Sequence, residues 1–472
     1  MQNKMSSRSS LTQLSRATLA MNLLAALGLS GVCLPVLATP PPVTNCADSG
    51  TGSLRAAVAG AASGDTIDLS NVALTCGTIT LTTAAIPIHQ NNLVIKGGSG
   101  TLFGSTVISG GHSGTAGGYR VFVQSGTGTG TGTLELDNLI ITNGKYRGAV
   151  AVGGCIYSDG SVTLNNSTVE GCLAYATSGN AGGGGIYAGG TVTLNSSIIS
   201  DNVAQSSANV YGGGLRAASL ITNSSTIHGN RAQVTPGVQG NISTHDLGGA
   251  AFLYRGNSDI ENSTIDNNFA YGQGGALYIE GAITISNSTI SGNASQNGAS
   301  GIANYRLHSG VASTAISNTT VAFNHTNAYG SAVGVAAQQL TLQSSIVANN
   351  SGANGVEYDV LCADCTLAGA DNLVVVERGD PPPAGFIAAS SDPELAPLSN
   401  HGGLTRTHAL LATSPAVASG NNLAKISYDQ RGVGFSRVTG FGTTIWTDIG
   451  AYQRQFADDE IFYQGMEPSA VP

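Results

Sequence analysis

His228 and Asp266 are the pair of residues whose types and spacing could do acid–base chemistry. Each directly follows the isoleucine of a recurring Ser-Thr-Ile, in STIHGN and STIDNN. A histidine beside a carboxylate can move a proton between pH 5 and 8. Glu170, Ser200 and Ser291 hold the same place in other copies of the motif. Glycoside hydrolysis needs two carboxyl groups about 5–5.5 Å or 6.5–9.5 Å apart. Glu170 and Asp266 stand three copies apart, roughly 14 Å at a strand spacing of about 4.8 Å, which is too far. A calcium-assisted elimination would need clustered acids beside a basic residue. Arg147, Arg216, Arg231, Arg255 and Arg306 fall in what read as unrelated positions. His228 and Asp266 therefore remain the catalytic candidates, and the simpler reading of them is a polar pair on a strand face. No cofactor or metal site is expected.

What must position this pair is a written-out repeat from Gly153 to Asn350. GGCIYSDGSVTLNNSTVEGCLA, GGGGIYAGGTVTLNSSIISDNVA and GGALYIEGAITISNSTISGNA are three copies. Val169, Ile199, Ile227, Ile265, Ile290, Val321 and Val347 form an apolar column, with the interval between copies wandering from 25 to 38 residues. Three residues before it stand Asn166, Ser196, Ser224, Asn262, Asn287, Asn318 and Ser344. Three residues after it stand Cys172 and then Asn202, Asn230, Asn268, Asn293, Asn324 and Asn350. Period-two alternation of β-branched residues means strands. Short parallel strands stacked coil on coil superimpose equivalent residues, giving an isoleucine/valine core and amide ladders at the corners. The expected fold is all-β, a right-handed single-stranded parallel β-helix.

Tyr157, Tyr187 and Tyr278 each follow the first apolar residue of a copy. They read as a cover on the stack or as a stripe that meets a ligand, a glycan or another cell-surface group.

The ends differ from the middle. Residues 1–38 read as a secretory signal: Lys4, Arg8 and Arg16, an apolar run, and Val36-Leu37-Ala38 as the cleavage site. No later apolar run is long enough to span a bilayer, so the mature chain should lack a transmembrane segment. The formal charge of −9 becomes −12 without those three cations, and no basic patch suited to nucleic acid appears. Cys33 leaves with the signal. The other six cysteines suggest disulfides. Cys155 and Cys172 both depart from their columns within one copy and should pair. Cys46 and Cys76 flank the first elements. Cys362 and Cys365 read as a small loop disulfide, with a redox or metal C-x-x-C as the alternative.

Residues 39–123 should form an N-terminal cap and the first coils. Ser53 can cap a helix over Ser53 to Ala62, with Leu54, Ala57, Val58 and Ala61 on one side covering the open end of the stack. Residues 124–350 are the β-helix repeats, 351–455 the last coils and an opposite cap, and 456–472 an acidic tail. Asp392, Asp429, Arg431 and Asp448 read as turn and ion-pair residues of that second cap, with Arg431 a bidentate partner for a carboxylate.

CADSGTGSLRAAVAGAASGDTIDL, SDPELAPLSNHGGLTRTHALLATSPAVASGNN, DQRGVGFSRV and DIGAY resemble the end segments of bacterial right-handed β-helix proteins of the choice-of-anchor Q type. The glycine-asparagine repeats are similar to those of polymorphic outer-membrane proteins, and IFYQGME in the tail distantly resembles an IFADGFE-like ending. The resemblance implies an exported or surface-displayed protein of undefined biochemical role, with no inherited catalytic set. The low charge, the small-residue faces and the lack of an acid–base constellation favour a non-enzymatic protein, extracellular or outer-membrane associated, with an adhesion or envelope-interaction role. β-Helices also carry pectate lyases and polygalacturonases, so a pectin-lyase-like fold keeps a polysaccharide lyase or glycoside hydrolase as the alternative. The hydrolase strings NTD, GHG and RIK are absent, and Trp446, the one tryptophan, lies outside the repeat.

Overall fold

A computed structural model describes residues 39–98, 106–112, 117–126, 132–235, 246–305, 313–328, 330–336, 339–353, 357–379, 382–441 and 444–455. The expected signal, residues 1–38, the tail, residues 456–472, and Arg306 lie outside them.

From Pro40 onward the chain is a parallel β-solenoid. Three long parallel sheets of eleven, twelve and eleven strands run its length. One coil shows the path. Ser161–Asn165 lies in the first sheet and Thr168–Glu170 in the second. Leu173–Ala176 and Ala181–Gly182 lie in two short side sheets, and Ile186–Ala188 lies in the third long sheet. The side sheets have seven and four strands among the described residues. Their interior is a cluster of small residues, Ala151, Ala174, Ala176, Ala181, Ala204, Val210 and Ala232.

The alternation works as expected. Val162 and Leu164 are buried while Thr163 between them is not, and Val192 and Leu194 sit on them in register. Val169, Ile199, Ile227, Ile265, Ile290, Val321 and Val347 pair in unbroken succession along the second sheet, all fully buried. The column three residues earlier turns each corner in the left-handed region, from Asn166 at φ 48° to Ser344 at φ 50°. The glycines before the third sheet meet a similar demand. A Cβ at Gly183, φ +58°, would collide with the Ile186 carbonyl oxygen.

Two ladders run inside the corners. The asparagine ladder is the expected one. Each Oδ1 accepts the backbone N–H and the Nδ2 of the asparagine one coil earlier, as Asn268 does from Asn230 at 2.9 Å in both bonds. It ends where Asn350 Nδ2 donates to the Asp359 carboxylate at 2.8 Å. The second ladder was not read from the sequence. Ser167, Ser197, Ser225, Ser263, Ser288, Thr319 and Ser345 each accept the backbone N–H of the residue one coil earlier, starting from Leu139. It lies one residue beyond the Asn/Ser corner column, where every side chain points inward.

All three disulfides form: Cys46–Cys76, Cys155–Cys172 and Cys362–Cys365. The middle one has a clear cause. In the next two coils a ladder asparagine packs against a glycine; a Cβ on Gly185 would lie 2.9 Å from Asn202 Cγ, and one on Gly214 2.9 Å from Asn230 Cγ. Cys172 and Cys155 replace that asparagine–glycine pair in one coil and bond across the same gap. Closing a loop of about fifteen residues is worth roughly 3 kcal/mol. We expect Cys155→Gly with Cys172→Asn to restore the repeat's own contact and melt higher than the Cys155→Ala/Cys172→Ala pair. Thermal unfolding of both variants checks this.

At the N-terminal end, α1 (Leu54–Gly60) begins at Ser53, whose hydroxyl accepts the Ala56 N–H. Leu54, Ala57 and Val58 join the main core. A second short helix, α2 (Ser70–Thr75), was not anticipated; Cys76 closes it.

The C-terminal part departs from expectation. Strands from Glu357 to Ala389 complete the coils. Residues 390–455 do not simply cap the end; they run back along the outer face of the second sheet. Ala451 N–H reaches Thr320, Gln430 accepts from Thr289, and Thr264 donates to the Arg406 carbonyl at 2.6 Å. Leu410, Ala416, Ile449 and Tyr452 pack there on Ile346, Ala348 and Leu373.

Asp246 is a buried cost in this fold. One oxygen accepts the Val210 N–H at 3.0 Å, and the other is buried with no partner among the described residues. Burial pushes its pKa up to about 7, against the hydrogen bond from Val210. An unfolded aspartate ionises near 3.9. Folding therefore becomes less favourable as pH rises from about 4 to 7, by about 2–4 kcal/mol. We expect Asp246→Asn to raise the melting temperature at pH 8 and leave it little changed at pH 4, in paired melts across that range.

Candidate functional site

His228 and Asp266 do meet. They are register partners on adjacent coils of the second sheet, with His228 Nδ1 2.8 Å from Asp266 Oδ2. The sequence did not show the third member. Arg406, from the back-running segment, donates from Nη2 to the same Asp266 oxygen at 2.5 Å and stands 3.1 Å from His228 Nδ1. The hydrogen bond that His228 donates to Asp266 raises the His228 pKa, against burial and the nearby guanidinium. Ser200 flanks His228 on the other side in register. It makes no hydrogen bond to the ring among the described residues. The carboxylate that would orient a catalytic imidazole is thus committed to an arginine, and the group fastens the rim of the C-terminal segment. Nearby, His408 bridges Ser291 and the Ala396 carbonyl, and burial lowers its pKa.

The other acidic candidates are structural in geometry. Arg431 forks onto Asp429 through Nε and Nη2, at 3.0 and 2.7 Å, with both side chains buried. Its guanidinium lies between the Phe435 and Tyr452 rings, 4.0 and 3.8 Å from their centroids. Asp448 accepts the Ala418 and Arg454 N–H groups. Asp392 accepts the Glu394 N–H and Asn349 Nδ2, which hold its pKa low.

The tyrosine column carries more. The third sheet's outward register runs Val123, Tyr157, Tyr187, Arg216, Phe252, Tyr278, Ala303. Tyr157 and Tyr187 stack at 5.2 Å and 11°, and Phe252 and Tyr278 at 5.6 Å and 11°. Arg216 sits between these pairs, 5.8 Å from the Tyr187 ring and 5.7 Å from Phe252. It is 4.9 Å from Tyr211, a residue of the four-stranded side sheet. The column therefore fills the corner between the third sheet and that side sheet. Phe252 and Tyr278 are only 4% exposed and pack with Leu247, Ala299 and Ala303, so Tyr278 does cover the stack. Tyr157 and Tyr187 are half-exposed.

The arginines that read as scattered follow this logic. Arg147 lies over Tyr175, Arg231 over Phe269 and Arg255 over Tyr254. Arg216 and Phe252 were missed because residue type changes along the column while position does not. GGGLR and GGAAF hold the same place as GGGIY, which was the available signal.

At its open end the corner widens into a cleft of about 480 Å³ lined by Tyr119, Arg120, Val123, Lys145, Tyr146 and Arg147 among others. Arg120 is fixed there, donating to the Val152 and Gly153 carbonyls at 2.6 and 2.9 Å. Its guanidinium lies 3.4 Å from the Tyr146 centroid and 5.1 Å from that of Tyr157. Half-buried stacked rings and a pinned cation thus share one cleft.

No family model matches the chain. No curated protein matches it either. Among solved structures, the crystal structure of pectate lyase Pel9A aligns over 89% of this chain and 98% of that one, at 15% identity and a TM-score of 0.49.

Proposed function

We propose that the chain is an exported, non-catalytic β-helix protein of the choice-of-anchor Q type, displayed or released at the cell surface, that holds a glycan of a surface or envelope in the corner beside its third sheet. The observation that carries this reading is the open end of the aromatic column. Tyr157 and Tyr187 are stacked, half-exposed and continuous with the Arg120–Tyr146 cleft. Sugar rings lie well on such faces, and fixed side chains lose little entropy on binding. Three disulfides fit an oxidising compartment.

The test is a polysaccharide panel read two ways, for saturable binding and for release of reducing ends or unsaturated uronate. Binding without turnover is expected, weakened tenfold or more by Tyr187→Ala. Turnover that disappears in His228→Ala or Asp266→Asn would overturn this reading in favour of a polysaccharide lyase or glycoside hydrolase.

A further inference from the structure

The cleft at the open end of the corner gathers positive charge in an acidic chain. The chain holds 18 Lys and Arg against 27 Asp and Glu. Yet the cleft is lined by Arg120, Lys145 and Arg147, and no acidic side chain is among the described residues that line it. Lys145 and Arg147 lie on the strand Lys145–Gly148, which is the terminal strand of its side sheet. The Lys145 N–H donates to the Tyr119 carbonyl at 3.0 Å, which sets the start of this strand against the segment that carries Tyr119 and Arg120. Arg120 is held by two carbonyls and a ring, which sets its planar fork in a fixed place. Tyr119 and Tyr146 supply ring faces beside the cations.

The charge changes along the corner. One coil on, the Tyr157 hydroxyl donates to the Asp159 carboxylate at 2.6 Å, and beyond it the column presents the Tyr187 ring and then Arg216. A polymer with a negative charge on every unit would meet cations at the cleft and a carboxylate next to it. We infer that the cleft binds the single carboxylate of an acidic sugar, as a terminal or branch uronate, while the neutral rings of the same oligosaccharide lie over Tyr157 and Tyr187. This rests on the glycan reading above and names its ligand class. Charge-assisted bonds from two or three cations to one carboxylate give the selectivity. The stacked rings add affinity that is indifferent to charge.

The experiment is calorimetric titration of the full chain with three probes: a xylotetraose carrying one glucuronic acid branch, the same molecule with that carboxyl reduced to the alcohol, and inorganic sulfate. The acidic probe should bind at least tenfold tighter than the reduced one, with sulfate much weaker than either sugar. Lys145→Gln with Arg147→Gln should bring the acidic probe down to the affinity of the reduced one. Tyr187→Ala should weaken both sugars by a similar factor. Equal binding of the two sugars, or a preference that survives the double variant, overturns the acidic-sugar assignment and leaves the glycan reading standing. Failure of both sugars to bind overturns the two together. Sulfate binding as tightly as the acidic sugar shows a simple anion site and also overturns the assignment. Arg147 is exposed, so a melt of the double variant close to that of the parent excludes misfolding.

Discussion

Replacing Asn268 by alanine should cost about 4 kcal/mol and lower the denaturation midpoint sharply. Its Oδ1 accepts two bonds from Asn230. Its Nδ2 donates to the Ile227 and Asp266 carbonyls and to Asn293 Oδ1, at 2.9, 3.0 and 2.9 Å. Asn268 is 1% exposed, so water cannot replace what is removed. The Asn230 N–H and two carbonyls lose a partner, and each buried group left unsatisfied costs about 1–3 kcal/mol. A void adds to this. In a stack each coil is held by its neighbours, so the damage weakens the coils on both sides. Asn350→Ala is the control. That residue is half-exposed at the end of the ladder, where water reaches part of what it leaves behind, and its loss should cost less, about 2 kcal/mol. Urea unfolding followed by circular dichroism compares the two. Equal costs would mean that the ladder does not hold the corners.

Arg431→Ala should be comparably severe, by about 3–5 kcal/mol, and local in its first effects. It leaves the Asp429 carboxylate fully buried without its guanidinium, held by the backbone N–H groups of residue 431 and Gln453, each at 2.9 Å. Removing one partner of a buried ion pair is costly because the other charge stays behind. Arg431→Lys should fail almost as badly. An ammonium can neither fork onto both Asp429 oxygens nor stack between Phe435 and Tyr452. Adding Asp429→Asn to Arg431→Ala removes the stranded charge and should recover part of the loss. Hydrogen exchange should show residues 390–455 opening before the coils. A variant with parental stability and a lost catalytic activity would instead make Arg431 and Asp429 machinery.

The legibility of this chain follows from how it stacks. In a β-solenoid the neighbours of a residue are its own equivalents, so repetition in sequence is repetition in space. That is why the column from Val169 to Val347, the asparagine ladder and the Cys155–Cys172 pair could be read directly. The Ser167 column has the same regularity but sits one residue from a more conspicuous one. Arg216 and Phe252 share the place of Tyr187 and were hidden by their types. The segment after Ala389 has no repeat at all. Its bonds, such as Thr264 to Arg406, join residues 142 apart and depend on a path that no local pattern announces. The cleft was illegible for the same reason. Tyr119 and Arg120 reach Tyr146 and Val152 across a change of sheet, and only the folded coil brings those cations together.

The most direct measurement is a crystal structure of the full chain soaked with the singly acidic oligosaccharide. Intact sugar is expected in the corner, its carboxylate against Arg120, Lys145 and Arg147 and its neutral rings over Tyr157 and Tyr187. A cleaved sugar, or one seated beside His228 and Asp266 with the corner empty, would contradict it.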